Sequence, residues 1–167
     1  LASVFVSDKD CGLAFVDVST GEVHLDAFTD ADATVRIINQ LGCYSPSEVI
    51  INKYAASVKS IVSFIKDRLS VDYQMVSESQ YNEAELLELI GSHISAENGL
   101  SQFNSNKSLL YAFGAALTYL KGVQKNELQN INDVDFYNED SFLTLDITAR
   151  RNLELTETQI RREKKGS

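Results

Sequence analysis

Carboxylates come first among the residues that could do chemistry. Asp17 and Asp26 fall on two successive strand-like segments, and Asp72 falls on a later one. Strand carboxylates that converge can hold two divalent ions and cleave phosphodiesters, but such a site needs about three or four acids meeting at one point. Asn52-Lys53, at the end of the apolar run Val49-Ile50-Ile51, supplies none. A carboxylate ahead of Ser19-Thr20-Gly21 has a simpler use, which is to bond the amides of a turn. That is the expected role of Asp17, and a metal-dependent nuclease stands as the alternative.

The other reactive residue types are sparse. His24 and His93 are the two histidines, on different elements and without triad partners. His24 is expected to point outward beside Asp26. His93 falls near a helix C-terminus, where partial positive charge is favoured. Ser19 and Thr20 read as hairpin residues with no general base placed near them. Cys11 and Cys43 match no metal spacing and are expected to be reduced thiols in a cytosolic protein. No Gly-x-x-x-x-Gly-Lys-Ser/Thr run is present to cradle a nucleotide phosphate. Catalytic, cofactor-binding and metal residues are therefore all expected to be none.

Charge points to protein partners rather than nucleic acid. Formal net charge is -9 over 167 residues. Residues 147–167 hold Arg150, Arg151, Arg161, Arg162, Lys164 and Lys165 against Glu154, Glu157 and Glu163, a net +3 that leaves -12 for residues 1–146. An acidic body repels phosphate. It also keeps a domain soluble, which is an equally good reason for it. The basic cluster reads as helix-surface charge paired with Glu154 and Glu157, with direct DNA contact the lesser reading. Tyr111 and Tyr119, eight apart on one helix, read as packing residues, with a partner contact as the alternative. No apolar run approaches the ~18 residues that cross a bilayer.

These residues must be positioned by a core, and 44% apolar content allows one. Val4-Phe5-Val6, the run from Cys11 to Val18, and Val23, Leu25 and Ala27 alternating with His24 and Asp26 read as three antiparallel strands. Ala31, Val35, Ile38 and Leu41 then share a helical face, with Gly42 at the helix end. Val49-Ile50-Ile51 suits a buried parallel strand. Ser57 is expected to cap a helix bearing Val58, Ile61, Val62, Ile65 and Leu69. Val71, Tyr73 and Met75 read as a fifth strand. Asn82-Glu83-Ala84-Glu85 resembles a capping box before Leu86, Leu89, Ile90 and Ile94. Residues 95–106 read as a loop. A long helix follows from Lys107 to near Leu128, with Gly114, Ala115 and Ala116 as a face for close packing.

The order βββαβαβαα gives an α/β fold: a ribonuclease-H-like mixed sheet, three antiparallel strands then β-α-β units, flanked by helices. Residues 142–146 read as a short strand, and Asp146 as the cap of a helix carrying Ala149, Leu153 and Leu155. This strand–helix fragment has too little apolar surface for its own core. It is expected to be mobile, docked on its own domain, or exchanged with a second copy. Leu1 opens in mid-strand without a Met, and Lys164-Lys165-Gly166-Ser167 ends without a terminating element, as expected of a piece of a longer protein.

Three strings carry a family resemblance. Cys11-Gly12-Leu13-Ala14-Phe15-Val16-Asp17-Val18-Ser19-Thr20-Gly21-Glu22 resembles the "GLAYVDLSTGE" hairpin of bacterial MutS connector domains. Gly114-Ala115-Ala116-Leu117-Thr118-Tyr119-Leu120-Lys121-Gly122-Val123-Gln124-Lys125 is similar to the connector's closing helix, "GALLRYLKETQK". Phe142-Leu143-Thr144-Leu145-Asp146-Ile147-Thr148-Ala149-Arg150-Arg151-Asn152-Leu153-Glu154-Leu155 resembles the "LDAATRRNLEL" opening of the MutS core. The three stand in family order and spacing, while residues 30–106 follow no family pattern.

The resemblance implies a connector domain over residues 1–133 and the start of an all-α core, or lever, domain over residues 134–167. It implies DNA mismatch repair, by a non-catalytic module that links mismatch-binding, core and ATPase domains and docks MutL. ATP, Mg²⁺ and mismatched DNA would belong to the parent dimer, in the cytoplasm and with no membrane. A generic α/β binding module with an accidental match is the third reading.

Overall fold

A computed structural model describes residues 1–29, 31–94, 99–123, 131 and 133–136, all within the first of two compact units, Leu1–Phe136. The strand and helix expected after residue 141 lie outside the described residues.

Three strands form an antiparallel meander: β1 (Ala2–Val6), β2 (Cys11–Val16) and β3 (Glu22–Phe28). The turn between β2 and β3 uses Gly21 at φ 77, a conformation that costs glycine little. The chain then crosses through α1 (Ala33–Tyr44) to β4 (Val49–Ile51), parallel to β1. Two short helices, α2 (Lys53–Ser57) and α3 (Lys59–Ser63), lead to a π-helical turn at Phe64–Arg68. From there β5 (Tyr73–Met75) lies parallel to β4. Three helices follow: α4 (Glu83–Gly91), α5 (Leu100–Ser105) and α6 (Lys107–Val123). The sheet order is β5-β4-β1-β2-β3-β6. A meander extended by parallel crossover strands is the ribonuclease-H-like arrangement expected from the order of elements.

Residue parity along the strands sends side chains to two cores. Ala14, Val16, Val23 and Leu25 pack beneath α4, α5 and α6. Val4, Leu13, Phe15 and Phe28 pack beneath α1, α2 and α3. With both faces covered, β2 is buried along its whole length. Each fully buried large side chain, such as Leu13, Ile37 or Phe113, contributes roughly 1.5–3 kcal/mol. Gly12 sets the spacing on one side: a Cβ there would meet the Ser108 carbonyl oxygen at 2.1 Å. Gly114 does so between helices, beneath Leu86, as the small-residue run of α6 led us to expect.

Several local expectations are corrected. The buried stripe of α1 is Ala33, Ile37 and Leu41, while Val35 is 56% exposed. Gly42 is inside α1 rather than past its end; Phe64 packs against it, and Ser45, at φ 43, ends the helix. Ser57 caps nothing: Asn52 caps α2, and the Ser57 hydroxyl donates to the Tyr54 carbonyl. Residues 100–105 form α5 rather than loop, because Phe103 inserts fully into the core and stacks on Phe113 at 5.7 Å. A sixth strand, β6 (Asp133–Phe136), was not anticipated; it pairs in parallel with β3, its short Asp-Val-Asp-Phe run being too brief to show a period.

Candidate functional site

The two carboxylates first considered do not meet. Asp26 pairs across the ladder with Leu13, four residues before Asp17, which follows the end of β2, so the two are separated by about 13 Å along the strand direction alone at ~3.3 Å per residue. Asp72 precedes β5, three strand spacings from β2, or about 14 Å at ~4.8 Å per strand. Among the described residues no three His, Cys, Asp or Glu side chains gather as metal ligands would.

Asp17 and Asp26 each have local partners. The Asp17 carboxylate accepts from the Ser19 amide at 2.9 Å and the Ser19 hydroxyl at 2.6 Å. Its backbone carbonyl accepts from the Gly21 amide at 2.8 Å, closing the turn. The Ser19 hydroxyl, then the Ser19 amide, hold its pKa below the ordinary 3.8. Asp17 is thus the turn residue it was expected to be. Asp26 is buried, contrary to the solvent-facing position expected, because α1 covers that face. It accepts from Gln40 Nε2 at 2.9 Å and from the Ala27 amide at 2.8 Å. His24 is half-buried on the same face, its ring 5.2 Å from Tyr44, rather than pointing outward. The His93 amide donates to Ile90 at the end of α4. Cys11 is buried and Cys43 exposed, and neither forms a disulfide.

Tyr111 and Tyr119 are both half-buried on α6. Tyr111 packs against Phe5 at 5.0 Å and Tyr81 at 5.7 Å. The Tyr119 hydroxyl accepts from Gln74 Nε2 at 3.4 Å, and burial followed by the nearby Glu48 charge raises its pKa. The basic cluster at residues 150–165 lies outside the described residues.

One concavity stands where open α/β sheets commonly bind ligands, at the carboxyl ends of parallel strands. It lies past the ends of β1 and β4, has a volume of about 580 Å³, and is lined by Phe5, Tyr54, Tyr81, Tyr111, Asp8 and Glu78 among others. Asn52 forms its back. The Asn52 Oδ1 accepts from the Val6 amide at 3.0 Å and from the Ala55 amide at 3.1 Å, and its Nδ2 donates to the Val6 carbonyl at 2.8 Å. A neutral amide committed to backbone therefore occupies the strand end. The sequence signal for it was an Asn ahead of the helical Lys53-Tyr54-Ala55 run. The cavity's tyrosines come from three separate segments, which no local pattern links.

Comparison with known proteins places this arrangement. Residues 1–132 match the family model of MutS domain II. The DNA mismatch repair protein MutS of Ruminiclostridium cellulolyticum is 30% identical over 167 residues, covering 100% of this chain and 19% of the relative. That of Alkaliphilus metalliredigens is 34% identical over 170 residues, with 100% and 19% covered. The chain thus spans about a fifth of the length of these relatives. Among solved structures, the fowlpox virus Holliday junction resolvase is similar with a TM-score of 0.49 at 18% identity, over 73% of this chain and 97% of that one. RuvC of T. thermophilus in complex with Holliday junction substrate gives 0.45 at 12% identity, over 75% and 95%. The fold assignment rests on the strand order rather than on these two scores. With domain II matched over residues 1–132 of 167, the chain belongs to the MutS family.

Proposed function

We propose that residues 1–133 are the non-catalytic connector of a MutS mismatch repair protein and residues 134–167 the start of its core domain. The connector links the mismatch-binding, core and ATPase domains and offers MutL a docking surface. The observation that carries this reading is the match of residues 1–132 to MutS domain II. Electrostatics support it: a net charge of -9 disfavours a grip on DNA by this piece alone. Mismatched DNA, ATP and Mg²⁺ would be engaged by the rest of the parent dimer. A cytoplasmic location goes with that work, and among the described residues no helix is long and apolar enough to cross a membrane.

A nuclease reading needs acids that converge, and Asp17 is committed to its turn about 13 Å along the strand direction from Asp26. The test is capture of purified MutL by the immobilised protein. Retention is expected, and it should fall when exposed positions are reversed in charge on α3 and its π-helical extension (Lys59→Glu with Lys66→Glu) or on α4 (Glu85→Lys with Glu88→Lys). No retention by the unaltered protein, or Mn²⁺-dependent cleavage of DNA by it, would overturn the proposal.

A further inference from the structure

We infer that the cavity beyond the ends of β1 and β4 is a socket for one arginine side chain of a protein partner. Its floor is aromatic. Phe5, Tyr81 and Tyr111 form a triangle with centroid separations of 5.2, 5.0 and 5.7 Å. Tyr54 stands at the mouth, 50% exposed, with its ring available from outside. Aromatic faces attract cations, and guanidinium stacks on them best because it is planar and weakly hydrated.

The rim selects the sign of the guest. Asp8 and Glu78 border the opening, both exposed. Lys53 also borders it, but a flexible stem lets its ammonium turn to solvent. Two carboxylates against one ammonium leave the rim net negative, which on an acidic domain disfavours a phosphate or an acidic peptide and favours a cation.

Hydrogen bonding selects arginine over lysine. Among the described residues the Tyr81 hydroxyl has no hydrogen-bond partner, although burial raises its pKa. A part-buried hydroxyl oxygen without a donor is an open acceptor. A guanidinium carries five donors in a fork, enough to serve Tyr81 and a carboxylate together, whereas a lysine offers a point charge. The volume of about 580 Å³ accommodates the side chain with water to spare. Asn52 does not compete, since its amide is spent on Val6 and Ala55.

The socket is independent of whether MutL is the partner, so its test uses none. The ¹⁵N-labelled 167-residue protein is titrated with Ac-Gly-Arg-Gly-NH₂, with the citrulline analogue, which is nearly isosteric but neutral, and with Ac-Gly-Lys-Gly-NH₂. Saturable shifts at the Asp8, Tyr54, Glu78 and Tyr81 amides are expected with arginine, weaker ones with lysine and none with citrulline. Tyr54→Ala, an exposed position, should keep the remaining spectrum and weaken arginine binding by about three- to fivefold, as loss of a half-exposed cation–π contact would. Glu78→Gln should weaken it and flatten its salt dependence. The inference falls if arginine leaves these amides unmoved or citrulline matches it. It also falls if Tyr54→Ala keeps affinity within about twofold. Loss of MutL capture alone leaves the socket standing, and loss of peptide binding alone leaves the connector reading standing.

Discussion

The Asn52 side chain closes on Val6 as a second strand would, accepting from its amide at 3.0 Å and donating to its carbonyl at 2.8 Å. The same Oδ1 caps α2 through Ala55. One buried amide thus joins the end of β1 to the start of the crossover that follows β4. Asn52→Ala would orphan a buried donor and acceptor on Val6 and remove a helix cap, a loss of about 3–4 kcal/mol. Asn52→Asp keeps the acceptor but sets a carboxylate oxygen against the Val6 carbonyl, so about 2–3 kcal/mol is expected at neutral pH. Urea midpoints measure both. An Asp variant as stable as the original would mean that the Nδ2 donation contributes nothing.

The two close glycine contacts should respond unequally to alanine. At Gly12 the new methyl meets helix backbone at Ser108, which cannot move without displacing α6. A cost of about 3 kcal/mol, at the top of the usual overpacking range, is expected. At Gly114 the obstacle is the Leu86 side chain, with Cδ2 at 2.8 Å and Cβ at 3.0 Å; a rotamer change moves the Cδ atoms but not the Cβ, so α4 must give by a few tenths of an ångström. Alanine gains about 1 kcal/mol of helix propensity there, which offsets part of the overpacking, so Gly114→Ala should cost about 1 kcal/mol, clearly less than Gly12→Ala. Equal losses in the two variants would show that α6 and α4 are held with equal rigidity, against this account.

The contrast between those glycines parallels what was readable beforehand. Periodicity exposed Val23 and Leu25 on a strand and the α6 core positions, because those signals depend on neighbours in sequence. It misplaced Asp26, since a polar residue in an alternating strand reads as solvent-facing until α1 is known to lie over it. It missed α5, whose one deep anchor, Phe103, sits among polar residues. Ser57 and Asn52 were both plausible caps, and only the approach of β1 to β4 decides for Asn52. The Asp17 turn was legible because all its partners lie within four residues. The aromatic cavity was not, because Phe5, Tyr54, Tyr81 and Tyr111 are brought together by the fold alone.

Asp17 gives a pH dependence with a definite sign. Hydrogen bonds from Ser19 favour the ionised carboxylate in the folded state, so its pKa lies below 3.8 there. The stabilisation is fully present above 3.8 and is lost as pH falls through the lower folded value. Carboxyl ¹³C titration should find Asp17 below the ordinary value, and Ser19→Ala should return it toward 3.8. Added Mg²⁺ or Mn²⁺ should leave the Asp17 titration in place. A metal-induced drop would reopen the two-ion reading.

Tyr81 should make the domain sensitive to alkali. Burial among Phe5 and Tyr111 favours its neutral form and raises its pKa above the ordinary 10.0. Below that value both folded and unfolded chains carry the proton, and stability does not respond. Above it the unfolded chain ionises first and binds fewer protons, so stability falls with rising pH. The slope from one tyrosine is at most about 1.4 kcal/mol per pH unit. Tyr81→Phe removes this term, so the variant's stability should decline less steeply above pH 10.0 than that of the original. Some slope should remain, because the pKa of Tyr119 is raised as well. The measurement is a set of urea midpoints at stepped pH with tyrosinate absorbance recorded alongside. Parallel curves for the two proteins would mean that burial does not hold the Tyr81 hydroxyl in its neutral form in the folded domain.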